Sequence, residues 1–214
     1  MEYFLTLCAS LAIQGGPLSW VTTHRIHHAK TETDDDPHSP KKGFFWAHMG
    51  WVFQGGSSLY DDDTRKRFSP DIVKDKFHMF MEKYYWVSSI IVGAILFAIG
   101  GWSMVLWGIA FRTVWGWHSV WIVNSITHIW GSRRFDTLDT STNNALVAIL
   151  AWGEGWHNNH HAFPRSSRHG MAWYEFDFNW SQIWLLEKVG LVNNVYAHSL
   201  SDEKSDRKRI KKAA

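Results

Sequence analysis

The chain has 214 residues, a formal net charge of +2, one cysteine, 15 tryptophans and 13 histidines. So small a charge does not mark a nucleic-acid binder. The lone Cys8 excludes an internal disulfide framework and a thiolate-built zinc or iron–sulfur site.

Cys8 lies in an apolar run and is expected to act as a small buried hydrophobe. Abundant tryptophan suits a membrane interface or an aromatic-walled pocket for a long apolar ligand. The mean hydropathy is slightly negative, so a few spans joined to a large polar part are expected. Met1-Glu2 opens with an acid where a secretory signal would carry a basic stretch. Membrane targeting is therefore expected from internal spans or from residues upstream.

Residues 3–20 are uncharged, but Gly15-Gly16-Pro17 interrupts them, so a continuous helix is expected from Glu2 to Gln14. It is short for a crossing and reads as a packing or interfacial helix. Residues 24–83 are polar, with acid runs at Asp34–Asp36 and Asp61–Asp63. The second run reads as a solvated loop; the first follows a histidine cluster and is placed to give it outer hydrogen bonds. No charge occurs from Tyr84 until Arg112, and Gly100-Gly101 is the natural turn within that stretch. This predicts a membrane hairpin over about 84–131, rising through Trp86–Ile99 and returning from Trp102 towards Gly131. Lys and Arg flank both ends and are missing near the turn, so both ends are expected in the cytoplasm. Arg112 is a charge at membrane depth that must face protein or water. Further on, an apolar helix is expected over Asn143–Trp156 and an amphipathic one over Trp173–Val192. Residues 1–200 read as one domain, followed by a charged, disordered tail at 201–214.

His24, His27 and His28 stand at i, i+3 and i+4, one face of a helical turn. His157, His160 and His161 repeat the spacing. Imidazole suits iron, zinc or copper, and six histidines exceed the needs of one zinc, so two metals are expected. Two crossings separate the triplets, which puts both on the same membrane face. Asn124 and His128, at i and i+4 on the cytoplasmic end of the long helix, join as a ligand pair.

These motifs resemble the membrane fatty-acyl desaturases. The likeness is carried by WVTTHRIHHAKTETDDDPHSP (Trp20–Pro40), Gly43–Trp51, VNSITHIWG (Val123–Gly131) and GEGWHNNHHAFP (Gly153–Pro164). It implies an all-α integral membrane protein, its cytoplasmic helical domain holding a histidine-rich two-iron site. Carried over by motif, the iron ligands are His24, His27, His28, His128, His157, His160 and His161, with Asn124 through a water. The family's further HxxxxH box does not precede His24 here, so the chain reads as a C-terminal portion that binds metal poorly by itself. By resemblance Gln14, Trp20 and Trp121 lie near the bend of a substrate tunnel, and Glu154 supports the last box from outside. His38, His48, His78, His118, His169 and His198 read as non-ligands.

The family reaction takes two hydrogens from adjacent methylenes of an acyl chain, using O2 and two electrons from a ferredoxin or cytochrome b-type carrier. Arg133, Arg134 and Arg165 are the expected docking cations. By the same resemblance, Thr22 and Thr23 stand where acyl-CoA enzymes tend to carry charge, which favours a lipid- or other carrier-linked substrate over acyl-CoA. A double bond between carbons nine and ten is implied by resemblance. The rival readings are a fatty-acid or sterol hydroxylase and an inactive truncated remnant.

Overall fold

In the computed structural model, which describes residues 1–55 and 60–200, every regular element is helical. Two isolated bridges, Ser132–Asn143 and Asn143–Trp156, are the only extended pairings among these residues. The chain divides into two compact units, Met1–Asn124 and Ser125–Ala214. The charged tail expected at 201–214 lies outside the described residues.

The first unit opens with α1 (Glu2–Ser10) and α2 (Pro17–Lys30). The helix expected to reach Gln14 stops early, because Ile13 and Gly15 both take positive φ (53° and 94°), which no helix accommodates. Cys8 is exposed, against expectation. Tyr3, Thr6 and Ser10 form the inward face of α1: Tyr3 stacks on Phe77 at 4.4 Å, Thr6 meets His78 at 3.2 Å, and Ser10 meets Ser88 at 2.6 Å. Cys8 points well away from that face at 100° per residue. Pro17 opens α2 where its missing N–H costs nothing, and Glu82 accepts both the amide (3.1 Å) and the hydroxyl of Ser19.

After α3 (Trp51–Phe53) come α4 (Asp62–Phe68), α5 (Pro70–Lys74) and α6 (Lys76–Tyr84). The acid run Asp61–Asp63, expected as a solvated loop, starts α4 instead. Asp61 accepts the Thr64 amide at 2.8 Å, and Asp62 and Asp63 sit in a first turn whose free N–H groups favour negative charge.

Helix α7 (Val87–Val105), a π-helical turn (Leu106–Phe111) and α8 (Arg112–Ile126) follow. Together Val87–Ile126 is long and apolar enough to cross a membrane, and its most apolar stretch is almost wholly exposed. Gly100 and Gly101 leave helical geometry within it, Gly101 at φ 64°, ψ −156°. A Cβ at Gly93 would stand 3.8 Å from Ile109, and one at Gly108 would strike Leu96. The segments before and after the glycine pair thus lie against each other. Arg112 finds its partners in protein: it donates to the Gly108 carbonyl (2.8 Å) and to that of Leu11 (2.7 Å), just past α1. Trp117 donates to the Ala12 carbonyl at 2.8 Å. Both satisfy carbonyls that the end of α1 leaves without helical donors.

The backbone at Gly101 lies in a region essentially closed to other residues, so Gly101→Ala is expected to cost about 1–3 kcal/mol. Gly116→Ala is the control, since a Cβ there meets nothing within 4 Å. Thermal unfolding in detergent should show Gly101→Ala clearly destabilised and Gly116→Ala no worse than wild type; equal melting would refute the strained turn.

The second helix of the expected hairpin ends at Ile126, not near Gly131, because the Thr127 carbonyl is taken by the amide (2.6 Å) and hydroxyl (2.8 Å) of Thr142. In the second unit α9 covers only Ala145–Leu150 of the expected Asn143–Trp156. Asn144 caps its start, accepting the Val147 amide at 3.1 Å, and Trp152 and Gly153 end it with φ of 59° and 121°. Helix α10 (His157–Ala162) carries the second triplet. The last helix, α11, is Phe178–Lys188, shorter than the expected Trp173–Val192. Asp177 fixes its start, accepting from Trp180 at 2.9 Å with one oxygen and from His169 and Gly170 at 2.8 and 2.9 Å with the other.

Candidate metal centre

In the first unit His24, His27 and His28 occupy the last turns of α2. The Nε2 atoms of His24 and His28 are 3.2 Å apart. His27 is almost fully buried, with Nδ1 at 3.0 Å from Oδ1 of the fully buried Asp36. Asp36 also accepts the amides of Glu32 (2.8 Å) and His38 (3.2 Å), which fixes its carboxylate. A carboxylate on Nδ1 keeps the proton there and leaves Nε2 as a lone-pair donor. His38, expected as a non-ligand, packs its ring 4.2 Å from that of His27. The ligand atoms of His27, Asp36 and His38 all lie within 4.8 Å of one another. Arg25, between the histidines in sequence, makes a two-pronged pair with Asp71 at 2.6 and 2.8 Å. That hydrogen-bonded guanidinium draws the Asp71 carboxyl down to about 2.

In the second unit the Nε2 of His157 is 3.1 Å from that of His128 and 3.0 Å from that of His161. Nδ1 of His161 meets Asp139 Oδ2 at 2.7 Å. Burial pushes the Asp139 carboxyl up, but hydrogen bonds from His161 and Ser141, with the His161 charge, hold it well below the usual range. His160 packs on the His169 ring at 4.3 Å. Glu154, expected to support this box, reaches His169 Nδ1 at 3.3 Å and accepts from Asn179 at 2.7 Å. Burial lowers the His169 pKa, yet the Glu154 and Asp177 charges outweigh it and raise it above the ordinary value.

These spacings fit a metal. With metal–imidazole bonds of about 2.1 Å, ligand nitrogens at right angles stand about 3.0 Å apart. Three Nε2 atoms converging at 3.0–3.1 Å, one ring held from behind by a carboxylate, have that geometry. An all-imidazole donor set with a carboxylate outer shell suits a transition metal such as iron, zinc, copper or nickel.

The residues between the histidines of α10 have a different task. Asn158 is fully buried; its oxygen accepts the amides of Arg134 (2.8 Å) and Phe135 (2.7 Å), and its amide donates to the Phe135 carbonyl at 3.1 Å. Asn159, also fully buried, donates to the His169 carbonyl (2.8 Å) and Glu175 (3.2 Å) and accepts from Asn143 (2.8 Å). The two asparagines hold down the loops around α10. Both glycines of Gly153-Glu154-Gly155 are sterically required too. A Cβ on Gly155 would overlap the backbone of Ala148, and one on Gly153 would meet Asp177. Asp139, Asn158 and Asn159 were not expected from the sequence, and no local spacing signals them; their partners are brought by the fold.

Within the first unit a cavity of about 640 Å³ is lined by Gln14, Trp20 and Trp121, with His24 and Asn124. Trp20 donates to Gln14 at 3.3 Å and lies parallel to the His24 ring at 5.1 Å. Thr22 and Thr23 turn inward, Thr22 to Ser69 at 3.0 Å and Thr23 to the Ser19 carbonyl at 2.9 Å. Of the expected docking cations, Arg134 is engaged by Glu175 at 2.7 and 2.8 Å, and Arg133 donates to the carbonyls of Thr137 and Asp139. Arg165 is exposed.

A family described as fatty acid desaturase matches residues 2–189. The sn-1 stearoyl-lipid 9-desaturase of Anabaena variabilis is 50% identical over 204 residues, which cover 95% of this chain and 73% of that protein. The sn-2 palmitoyl-lipid 9-desaturase of Nostoc sp. (strain 36) is 43% identical over 91% of this chain and 69% of its own length. The icosanoyl-CoA 5-desaturase of Limnanthes douglasii is 44% identical over 91% of this chain and 55% of its own. The chain belongs to the fatty acid desaturase family. It is an oxidoreductase of lipid metabolism, acting as a fatty-acyl desaturase.

Proposed function

We propose that this protein is an O2-dependent, two-iron desaturase that introduces a cis double bond between carbons nine and ten of a saturated, lipid-linked acyl chain. The convergence of the His128, His157 and His161 Nε2 atoms, with Asp139 behind His161, carries this reading. His24, His27, His28, His128, His157, His160 and His161 would hold the irons, with Asn124 acting through a water. When bound, the irons and O2 supply the oxidising power that an unactivated C–H bond requires and that no side-chain acid or base has.

The protein's own contribution is positional. Asp36 and Asp139 hold His27 and His161 with Nε2 available. The cavity walled by Gln14, Trp20 and Trp121 takes the acyl chain and fixes which methylenes are presented. Its volume lies in the range of sites that bury an apolar ligand. The lipid-linked carrier and the ninth-carbon position are supported by the Anabaena and Nostoc relatives named above; the Limnanthes relative bears a CoA name and a different position.

In this reading Val87–Ile126 is a membrane hairpin turning at Gly100-Gly101, with both flanks in the cytoplasm. Its outward Ile90, Ile95, Ile99, Leu106 and Trp107 form an apolar surface too continuous for water. Electrons come from a ferredoxin or cytochrome b-type carrier.

Product analysis tests the proposal. Protein in its own membranes, supplied with saturated C16 and C18 lipids, should yield cis-9 alkenes. A hydroxylated product without alkene would establish the hydroxylase reading instead.

A further inference from the structure

We infer that His48 and His118, which lie outside the metal centre, are a positioning pair that fixes the Trp121 indole in the cavity wall and thereby sets where an acyl chain rests. The inference builds on the acyl-chain reading of that cavity. His48 comes from the π-helical turn Trp46–Gly50 and His118 from α8, yet His48 Nε2 and His118 Nδ1 are 3.0 Å apart. One ring must donate the proton and the other accept it, which fixes a tautomer on each.

Both rings meet Trp121 nearly edge-on, His118 at 5.3 Å and 77° and His48 at 6.0 Å and 76°. Phe44 backs His48 from its own side, parallel at 5.5 Å. Trp117 adds a further ring contact to Trp121 at 5.6 Å. An indole held by two near-perpendicular rings has little freedom to turn about χ2. Trp121 is 8% exposed and lines the cavity, and His118, three residues earlier on the same helix face, lines it too. Burial, and then the neighbouring His118 ring, keep His48 below the ordinary imidazole range.

A flexible chain offers many near-identical methylenes, so the reacting position depends on the shape of the wall. Discrimination by one methylene in an apolar pocket is worth about 10–200-fold. Loosening Trp121 should erode that figure without touching the metal.

The test compares His118→Leu and His48→Leu, which break the hydrogen bond, with His118→Asn and His48→Gln, which return a polar atom near each lost nitrogen. His118 is exposed, so its replacement leaves the fold intact. The readouts are double-bond position and the C16-to-C18 product ratio from the full protein in its own membranes, with iron content and melting temperature as controls. The leucine variants should keep iron and stability while positional or chain-length selectivity falls about 3–10-fold, and the conservative variants should recover it. Wild-type selectivity in the leucine variants, or conservative variants no better than leucine, would overturn the inference.

Should the wild type make no alkene, the desaturase reading itself has failed. The pair is then judged by the motion of a spin-labelled stearoyl chain bound to purified protein: greater motion in the leucine variants supports it, and unchanged motion overturns it.

Discussion

Asp139→Asn is expected to weaken iron binding about 10–100-fold, the usual consequence of losing a carboxylate behind a ligating histidine. The substitution preserves size. What it removes is the charge that holds His161 Nδ1–H at 2.7 Å and keeps the electron density of Nε2 directed at a metal. Asp36→Asn should act alike on His27, and more widely, because Asp36 also anchors the Glu32 and His38 amides. Retention of iron against a graded chelator would measure both. Asp71→Asn, whose carboxylate pairs with Arg25 and with no candidate ligand among the described residues, is the control and should retain iron like wild type. Wild-type retention by Asp139→Asn would remove the carboxylate–histidine arrangement from the account.

The second large effect falls on stability. Asn158→Leu keeps the volume but leaves two part-buried amides, those of Arg134 and Phe135, without the oxygen that accepts them at 2.8 and 2.7 Å. Each such loss costs about 1–3 kcal/mol, so a total of about 3–5 kcal/mol and a fall in melting temperature of about 10 °C or more are expected. Asn158→Asp, which keeps the accepting oxygen but loses the donation to the Phe135 carbonyl, should fall between leucine and wild type. Leucine melting like wild type would mean that the asparagine does not anchor its loop.

The histidine spacing was readable because it is local. Residues at i, i+3 and i+4 share a helix face wherever the helix lies, and α2 and α10 present them so. The break in helical geometry at Gly100-Gly101 was readable for the same reason, since two glycines in an apolar run mark a backbone that other residues resist. Helix ends were read less well. The stops at Ser10, Ile126 and Leu150 depend on Ile13 adopting positive φ, on Thr142 capturing the Thr127 carbonyl, and on Trp152 turning left-handed, none of which composition announces. Cys8 was misplaced because an apolar neighbourhood does not reveal which side of α1 is covered. Asp139 and Asn158 stayed hidden for a related reason: each works on a residue more than twenty positions away. Arg112, by contrast, was recognisably a charge that had to face protein or water, although its partners at Leu11 and Gly108 were not visible.

Metal analysis of the protein purified from its own membranes decides whether these histidines hold iron. Iron is the metal predicted to co-purify with the wild type, in an amount sharply reduced in His157→Ala, whose Nε2 stands 3.1 Å from that of His128 and 3.0 Å from that of His161. Stoichiometric zinc in place of iron, or full iron retention in His157→Ala, would contradict the account.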